Sequence, residues 1–588
     1  MCGIAGEIRF DGQAANRSLV ERMTAAQAAR GPDGEGIHAA GPVAFGHRRL
    51  KIIDLSDRAA QPMRDAQLGL VIVFNGCIYN YPQLRKELEG LGHAFTSTSD
   101  TEVILKAYAA WGKDCVERFN GMFALAILEE ASGRVFIARD RLGIKPFYYT
   151  ESPQFFRFAS TLPALAGTLD SAPDLDPVAL HHYLSFHSVV PAPHTILAPI
   201  RKLPPATRAI IHPDGRREEE EYWRLAYRHS ESGVSFNELR DELLESLDQA
   251  VQRRMIADVP VGVLLSGGVD SSLVVGLLAR NGAQGLNTFT VGFESAGGEA
   301  GNEYPYSDLI AKEFGTTHHK IEVSSSRLLG NLPDCFKAMS EPMVSHDNIG
   351  FYLLSQEVAK HVKVVQSGQG ADEVFGGYFW YPPLLNSQSA VDDYAGVFFD
   401  RSNSEMAEVL DPRFLGRDHS LEFVRRHFAN ADAELAVDKA LNMDTTVMLV
   451  DDPVKRVDNM TMAAGLEARV PFLDYELVEL AARIPPEMKV SSGGKYILKE
   501  AARKVIPAEV IDRPKGYFPV PELKYLSGSV LEMVRENLTN EAARKRGLFR
   551  QEYVDKLLAA PDRHLTNLQG SKLWQLASME IWLQTHGI

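Results

Sequence analysis

Apolar and polar residues alternate with two different periods along this chain, and the change of period divides it in two. Over the first 160 residues the pattern is mostly that of strands. "GLVIVFNG" is a β-branched and aromatic run closed by Asn-Gly, and "MFALAILEEASGRVFIARD" places two apolar runs on either side of a Ser-Gly turn, the signature of a hairpin. "FFRFAS" predicts a further short strand. Helices are interleaved, as in "YPQLRKELEGLG", with Pro near its start and Gly at its end. Around "GTLDSAPDLDPVALHHYLSF" the texture changes. Asp176 and Pro177 read there as an N-cap and a first-turn proline. The acidic run "RREEEEYW" predicts a solvated surface between domains.

From Ser235 onward the period becomes that of α/β structure. In "SFNELRDELLESLDQAV", Ser235 and Glu238 are spaced as a capping box, and Leu239, Leu243, Leu247 and Val251 fall on one helical stripe. "VPVGVLL", "NTFTVGF" and "VKVVQSG" are short continuous apolar runs, as expected of strands buried on both faces. Strands of this kind with helices between them predict a doubly wound parallel sheet. "ESAGGEAGNE" reads as a Gly-rich mobile loop.

Composition narrows the function classes. A length of 588 residues exceeds one ordinary core, and 45% apolar with 24% charged residues is globular. A net charge of −15 disfavours nucleic acid as a bulk partner. The four cysteines, Cys2, Cys77, Cys115 and Cys335, form no close-spaced pair, so a reducing compartment is expected rather than a zinc site or a disulfide framework. The first residues carry no signal-peptide pattern and no run approaches ~18 apolar residues. The expected location is the cytoplasm, with no membrane partner.

Two stretches carry candidate chemistry. The first is "MCGIAG". Removal of Met1 would leave Cys2 with both a thiol and a free α-amine, and the amine can act as base for the thiol. Attack on an amide makes an oxyanion, and "FNG" offers the Asn75 side chain and the Gly76 N–H to meet it. Arg49 in "HRRLKIID" could hold a substrate carboxylate and Asp100 in "STSDTEV" an ammonium, although either residue alone is usually just a surface charge. The second stretch is "LLSGGVDSS", between a buried strand and a helix. Gly267 and Gly268 would admit an anion close to the backbone, Ser266, Ser271 and Ser272 could donate to phosphate oxygens, and Asp270 could hold Mg²⁺. The Lys of a Walker loop is absent.

"MCGIAG", "RGPDGEG", "GHRRLKIID", "FNGCIYNY", "SDTEVIL" and "GMFALAI…ARDRLGIKPFYY" together resemble class II glutamine amidotransferases. "SGGVDSS", "SGQGADEVFGGY", "GLEARVPFLD" and "DRPKGYFP" resemble the synthetase half of the asparagine synthetase family, so the likeness runs almost end to end. The resemblance implies an α+β N-terminal nucleophile hydrolase sandwich (αββα) over residues 2–215. It implies an α/β doubly wound adenylating domain (a PP-loop ATPase, Rossmann-like) over 235–588. Glutamine would be hydrolysed at Cys2, with Asn75 and Gly76 as oxyanion hole and Arg49, Asn75, Gly76, Cys77 and Asp100 around the substrate. ATP would lie against Leu265, Ser266, Gly267, Gly268, Asp270, Ser271, Val291, Ser367 and Gly368, with Mg²⁺ on Asp270 and Asp372. Lys515 would stabilise the charge of the activated acyl group. The implied partners are small molecules (glutamine, ATP and a carboxylate acceptor) and a second copy of the chain as a homodimer.

The chain departs from the family at two informative positions. Cys77 stands where the family has a Glu that helps to hold glutamine, and Gln369 stands where it has Glu or sometimes Asp, a group able to take a proton from ammonia. The "NGC" of Cys77 and "EPMVSHD", which brings Ser345, His346 and Asp347 to unfamiliar places, together are similar to a branch that amidates N-acetylglutaminylglutamine, a bacterial osmoprotectant. Ordinary asparagine synthesis from L-aspartate is the alternative. A non-catalytic binding or regulatory homologue is the alternative of another class, against which the intact Cys2, Asn75, Asp270 and Lys515 count.

Overall fold

The structure is a computed structural model that describes residues 2–229, 234–295, 301–513, 520, 523 and 526–588. Its first part contains strands β1 (Gly3–Arg9), β2 (Gly34–Ala40), β3 (Val43–Arg49), β4 (Met63–Asp65), β5 (Leu70–Ile78), β6 (Gly121–Glu129), β7 (Val135–Arg139), β8 (Tyr148–Ser152), β9 (Phe155–Ala159), β10 (Arg201–Lys202), β11 (Thr207–Ile211) and β12 (Arg217–Glu221). They form two six-stranded antiparallel sheets, ordered β10-β8-β9-β1-β3-β2 and β12-β11-β7-β6-β5-β4.

Both faces of the central strands are buried, which explains why they read as continuous apolar runs. Along β5, Val71 and Val73 point between the sheets and meet Ile4 and Ile8 of β1, while Leu70, Ile72 and Phe74 point outward to Leu84, Leu88, Val103 and Ile104. Those outer partners lie on the helices Tyr81–Gly90 and Asp100–Trp111. The other sheet is covered by Leu19, Val20 and Met23 of helix Arg17–Ala25. The result is an αββα sandwich. The hairpin read from the Ser-Gly turn is β6–β7, and the acidic run is the exposed edge strand β12.

The second part carries β13 (Val261–Leu264), β14 (Asn287–Phe293), β15 (Thr317–Val323), β16 (Val364–Gln366) and β17 (Glu467–Arg469) in a wholly parallel sheet ordered β15-β14-β13-β16-β17. The chain winds outward from β13 to β15, then returns to β16 and β17. The switch point therefore lies between β13 and β16, where open parallel sheets bind ligands. The helix Phe236–Arg253 begins with the expected capping box, and Leu239, Leu243, Leu247 and Val251 are its buried stripe. Residues 296–300 of the Gly-rich loop lie outside the described residues. No helix among the described residues is long and apolar enough to cross a membrane.

The two parts share their cores. One apolar cluster runs from Tyr183 and Leu184 to Phe289, Trp574 and Trp582, and another joins Tyr79, Met122 and Ile144 to Leu243, Leu273 and Phe472. Buried charges cross the same boundary. Asp458 receives the Arg30 guanidinium at 2.9 Å and the Lys145 ammonium at 3.3 Å, all three almost fully enclosed. Arg30 also donates to the backbone carbonyl of Cys2 at 3.2 Å. Replacing Asp458 by Ala would strand two buried cations. The expected cost is about 3–5 kcal/mol, seen as a lower denaturant midpoint than that of the parent chain. An unchanged midpoint would show that this cluster does not hold the halves together.

Candidate functional site

Two sites emerge, one around Cys2 and one at the switch point of the parallel sheet. Cys2 stands at the head of β1, beside the end of β3, where Gly3 pairs with Arg48. Its backbone N–H donates to Asn75 Oδ1 on β5 of the other sheet at 3.0 Å. That bond fixes the orientation of the Asn75 amide and leaves its buried Nδ2 without a partner among the described residues. Gly76 follows on the same strand, so close to β6 that a Cβ there would meet the Met122 carbonyl oxygen at 2.0 Å. Asn75 thus carries an unused buried donor on a side chain bound to the Cys2 backbone, although Asn75 itself is not among the residues lining the cavity at the thiol. Burial pushes the Cys2 thiol up, opposed by the positive amino terminus, so the thiol needs a base before it can react.

A small cavity (≈ 30 Å³) adjoins the thiol and is lined by Arg49, Gly76, Cys77 and Asp100, all expected from the sequence. Arg49 donates to the carbonyls of Ser56, at 2.8 Å, and Asp54, which holds its guanidinium at the cavity wall. Asp100 opens its helix and accepts the Ile78 N–H at 3.1 Å. Burial pushes its carboxyl up to about 6. The sequence reading did not anticipate that Glu467 and Arg469 of β17 line the same cavity. They belong to "GLEARVPFLD", in the other half of the chain. Cys77 is buried, and Arg469 Nη2 lies 3.7 Å from its Sγ.

The second site is a larger cavity (≈ 390 Å³) at the switch point of the parallel sheet. It is lined by Leu265, Ser266, Gly268, Asp270, Ser271, Val291, Ser367, Gly368, Gln369 and Asp372, as expected. The loops after β13 and β16 touch, and a Cβ on Gly368 would come within 3.0 Å of the Ser271 nitrogen. Gly267 differs from expectation. It is not among the cavity-lining residues; its φ is +76°, and a Cβ would run into the Ser307 nitrogen at 2.7 Å, so the turn and its packing against helix Tyr304–Glu313 require a glycine. Ser272 is fully buried and does not line the cavity. Asp347 lines it, but His346 does not; the His346 ring lies 5.9 Å from that of Trp574. Lys515 lies outside the described residues.

Lys495 is the residue that the sequence reading missed here. Its ammonium lies 2.7 Å from Asp270 and 2.8 Å from Asp372, and these two carboxylates raise its pKa against the opposing effect of burial. It sits at φ +54° directly before helix Tyr496–Ala502, preceded by Gly493 and Gly494 at φ +77° and +88°. The signal was present in "SSGGKYIL", a glycine pair and a lysine ahead of a helical run. Opposite the loops, Tyr378, Glu373 and Arg456 complete the wall. Arg456 lies 3.7 Å from Asp347 and 3.6 Å from Asp452, and its buried Nε has no partner among the described residues. No group of three or more His, Cys, Asp or Glu side chains that could hold a metal occurs among the described residues. Asp270 and Asp372 nevertheless converge on one cation, and two carboxylates suffice for Mg²⁺ when substrate phosphates supply other ligands.

Known proteins resemble both parts. The family described as "Glutamine amidotransferase domain" matches residues 1–223, and the family described as "Asparagine synthase" matches residues 242–584. The Bacillus subtilis protein "Asparagine synthetase [glutamine-hydrolyzing] 3" is 31% identical, over 95% of this chain and 93% of its own length. "Asparagine synthetase [glutamine-hydrolyzing] 1" of the same organism is 31% identical over 99% and 96%. The Escherichia coli protein "Asparagine synthetase B [glutamine-hydrolyzing]" is 29% identical over 88% and 82%.

Proposed function

This chain belongs to the asparagine synthetase family, and from that premise we propose that it is an ATP-dependent carbon–nitrogen ligase with glutamine as amido donor, acting on N-acetylglutaminylglutamine. Glutamine loses its amide at Cys2. ATP activates a carboxylate at the second site as an acyl-adenylate with release of pyrophosphate, and ammonia displaces AMP to give the amide. The observation that supports a thiol-based glutaminase best is the unused Asn75 Nδ2 beside Cys2.

In the first half-reaction the Cys2 thiol attacks the glutamine amide carbonyl, and its own α-amine, exposed once Met1 is removed, takes the thiol proton and delivers it to the departing ammonia. Asn75 Nδ2 and the Gly76 N–H meet the oxyanion; one such donor is worth about 3 kcal/mol. Water then cleaves the thioester to glutamate. In the second half, Ser266, Gly268 and Ser271 hold the phosphates, Leu265, Val291, Ser367 and Gly368 hold the nucleoside, and Lys495 stands beside the reacting phosphate. Lys515 is a second candidate for that role. Mg²⁺ on Asp270 and Asp372 would neutralise charge on the phosphates. Because an acyl-adenylate hydrolyses in water, ammonia should pass internally through the shared core between the sites.

Two features support the larger acceptor. Gln369 is neutral and cannot act as a base for ammonia, so the pocket differs in its polar chemistry from one that uses a carboxylate there. Asp347 and Arg456 add charged groups to the cavity wall beyond the nucleotide loops, and the buried Arg456 Nε, without a partner among the described residues, is a donor that a larger substrate could satisfy. The second reading, L-aspartate as acceptor, is favoured by the names of the relatives.

Two tests follow. Cys2→Ala should lower glutamine-dependent amide formation by at least about 10³-fold while ammonia-dependent synthesis persists; normal glutamine turnover by the variant would refute the nucleophile. In parallel assays with glutamine and Mg-ATP, N-acetylglutaminylglutamine should be amidated with a much higher kcat/KM than aspartate. Polar groups left unpaired around a small substrate can discriminate by about 10⁴-fold. Efficient asparagine formation without dipeptide amide, read by mass spectrometry, would return the acceptor to aspartate.

A further inference from the structure

The cavity beside Cys2 is built from both halves of the chain. Arg49, Gly76, Cys77 and Asp100 come from the αββα sandwich, and Glu467 and Arg469 come from β17, at the edge of the parallel sheet. Residues two apart on a strand share a face, so Glu467 and Arg469 both point from β17 toward the sandwich. Arg469 is fully buried. Its Nε donates to Glu467 Oε1 at 2.6 Å, its Nη1 donates to the carbonyls of Arg254 and Ile256 at 2.9 and 2.8 Å, and its Nη2 faces the Cys77 sulfur. The guanidinium is thereby pinned, and it fixes the Glu467 carboxylate in turn.

Free glutamine is a zwitterion, so its pocket needs a cation for the carboxylate and an anion for the ammonium. Position 77 is a thiol that burial keeps protonated, so it cannot supply the anion. The lining carboxylates are Asp100 and Glu467. Their charge states differ. Asp100 is pushed up to about 6 by burial, whereas the Glu467 carboxylate accepts from the buried Arg469 guanidinium at 2.6 Å, a partner that favours its charged form. Near neutral pH Glu467 is the more completely ionised of the two.

We propose that Glu467, delivered by the parallel-sheet half, holds the α-ammonium of glutamine together with Asp100, so that the glutamine site is complete only when the two halves are docked. This rests on the reading of the Cys2 pocket as a glutamine site. The substrate class it selects is the free α-amino acid, over amides that lack the amine.

The test uses the full chain and two donors, L-glutamine and glutaramic acid, which is the same molecule without its α-ammonium. In Glu467→Gln the KM for glutamine should rise about 10–100-fold, the loss expected for one charge-assisted hydrogen bond. The parental preference for glutamine over glutaramic acid should shrink by the same factor. Adding Cys77→Glu, which restores a carboxylate to the same wall, should recover part of that preference. Equal losses on both donors would reduce Glu467 to a structural partner of Arg469, and an unchanged KM would remove it from the site; either result overturns the proposal. A parent chain that released glutamate from neither donor would instead overturn the glutaminase reading, and this proposal with it.

Discussion

Everything in this molecule depends on a buried carboxylate at the boundary between its halves. Asp458 lies on a helix of the second part and binds Arg30 and Lys145 of the first. Burying three charges is costly, and the arrangement is stable only because each charge finds partners. Arg30 turns this pairing into geometry by also holding the Cys2 carbonyl. Cys2, the proposed nucleophile, is therefore tied through Arg30 to the other half of the chain. A second buried group, Lys202 with Glu341, Asp451 and Lys455, spans the same boundary at 2.5–3.8 Å.

The two sites obtain their donors by the same physical means. In each, a glycine within or just after a strand lets another segment come close through its missing side chain. Gly76 lies against Met122, and Gly368 lies against Asp270 and Ser271. Close approach fixes the backbone, and a fixed backbone keeps donors aimed before any substrate arrives. The sites differ in charge. The first is lined by two arginines and two carboxylates, whereas the second sets two carboxylates around a lysine beside the loop after β13.

Local chemistry was legible in the sequence, and long-range chemistry was not. The capping box at Ser235, the N-cap at Asp176 and the stripe from Leu239 to Val251 are set within one turn or one helix, so spacing alone revealed them. Asn75 with Gly76 was read from one tripeptide, whereas Ser367 and Gly368 came from the family resemblance; the latter two line the second cavity. Glu467 and Arg469 were missed as cavity residues because they reach Cys2 only through docking of two sheets, and no spacing in the chain encodes that contact. Lys495 was missed for a different reason. Its glycine pair reads as an ordinary turn until the fold brings Asp270 and Asp372 against the ammonium. The packing of Gly267 against Ser307 was not legible either, because Ser307 lies on a helix whose approach the sequence does not show.

The central claim is that a nitrogen released at Cys2 reaches the second site without leaving the protein. Supplying glutamine labelled with ¹⁵N in its amide, in the presence of excess unlabelled ammonium and at a pH where the α-amine of Cys2 is neutral, tests it directly. The account predicts that the amide product carries ¹⁵N at nearly the enrichment of the glutamine. Product label diluted to the level of the bulk ammonium would contradict it and make the two sites independent.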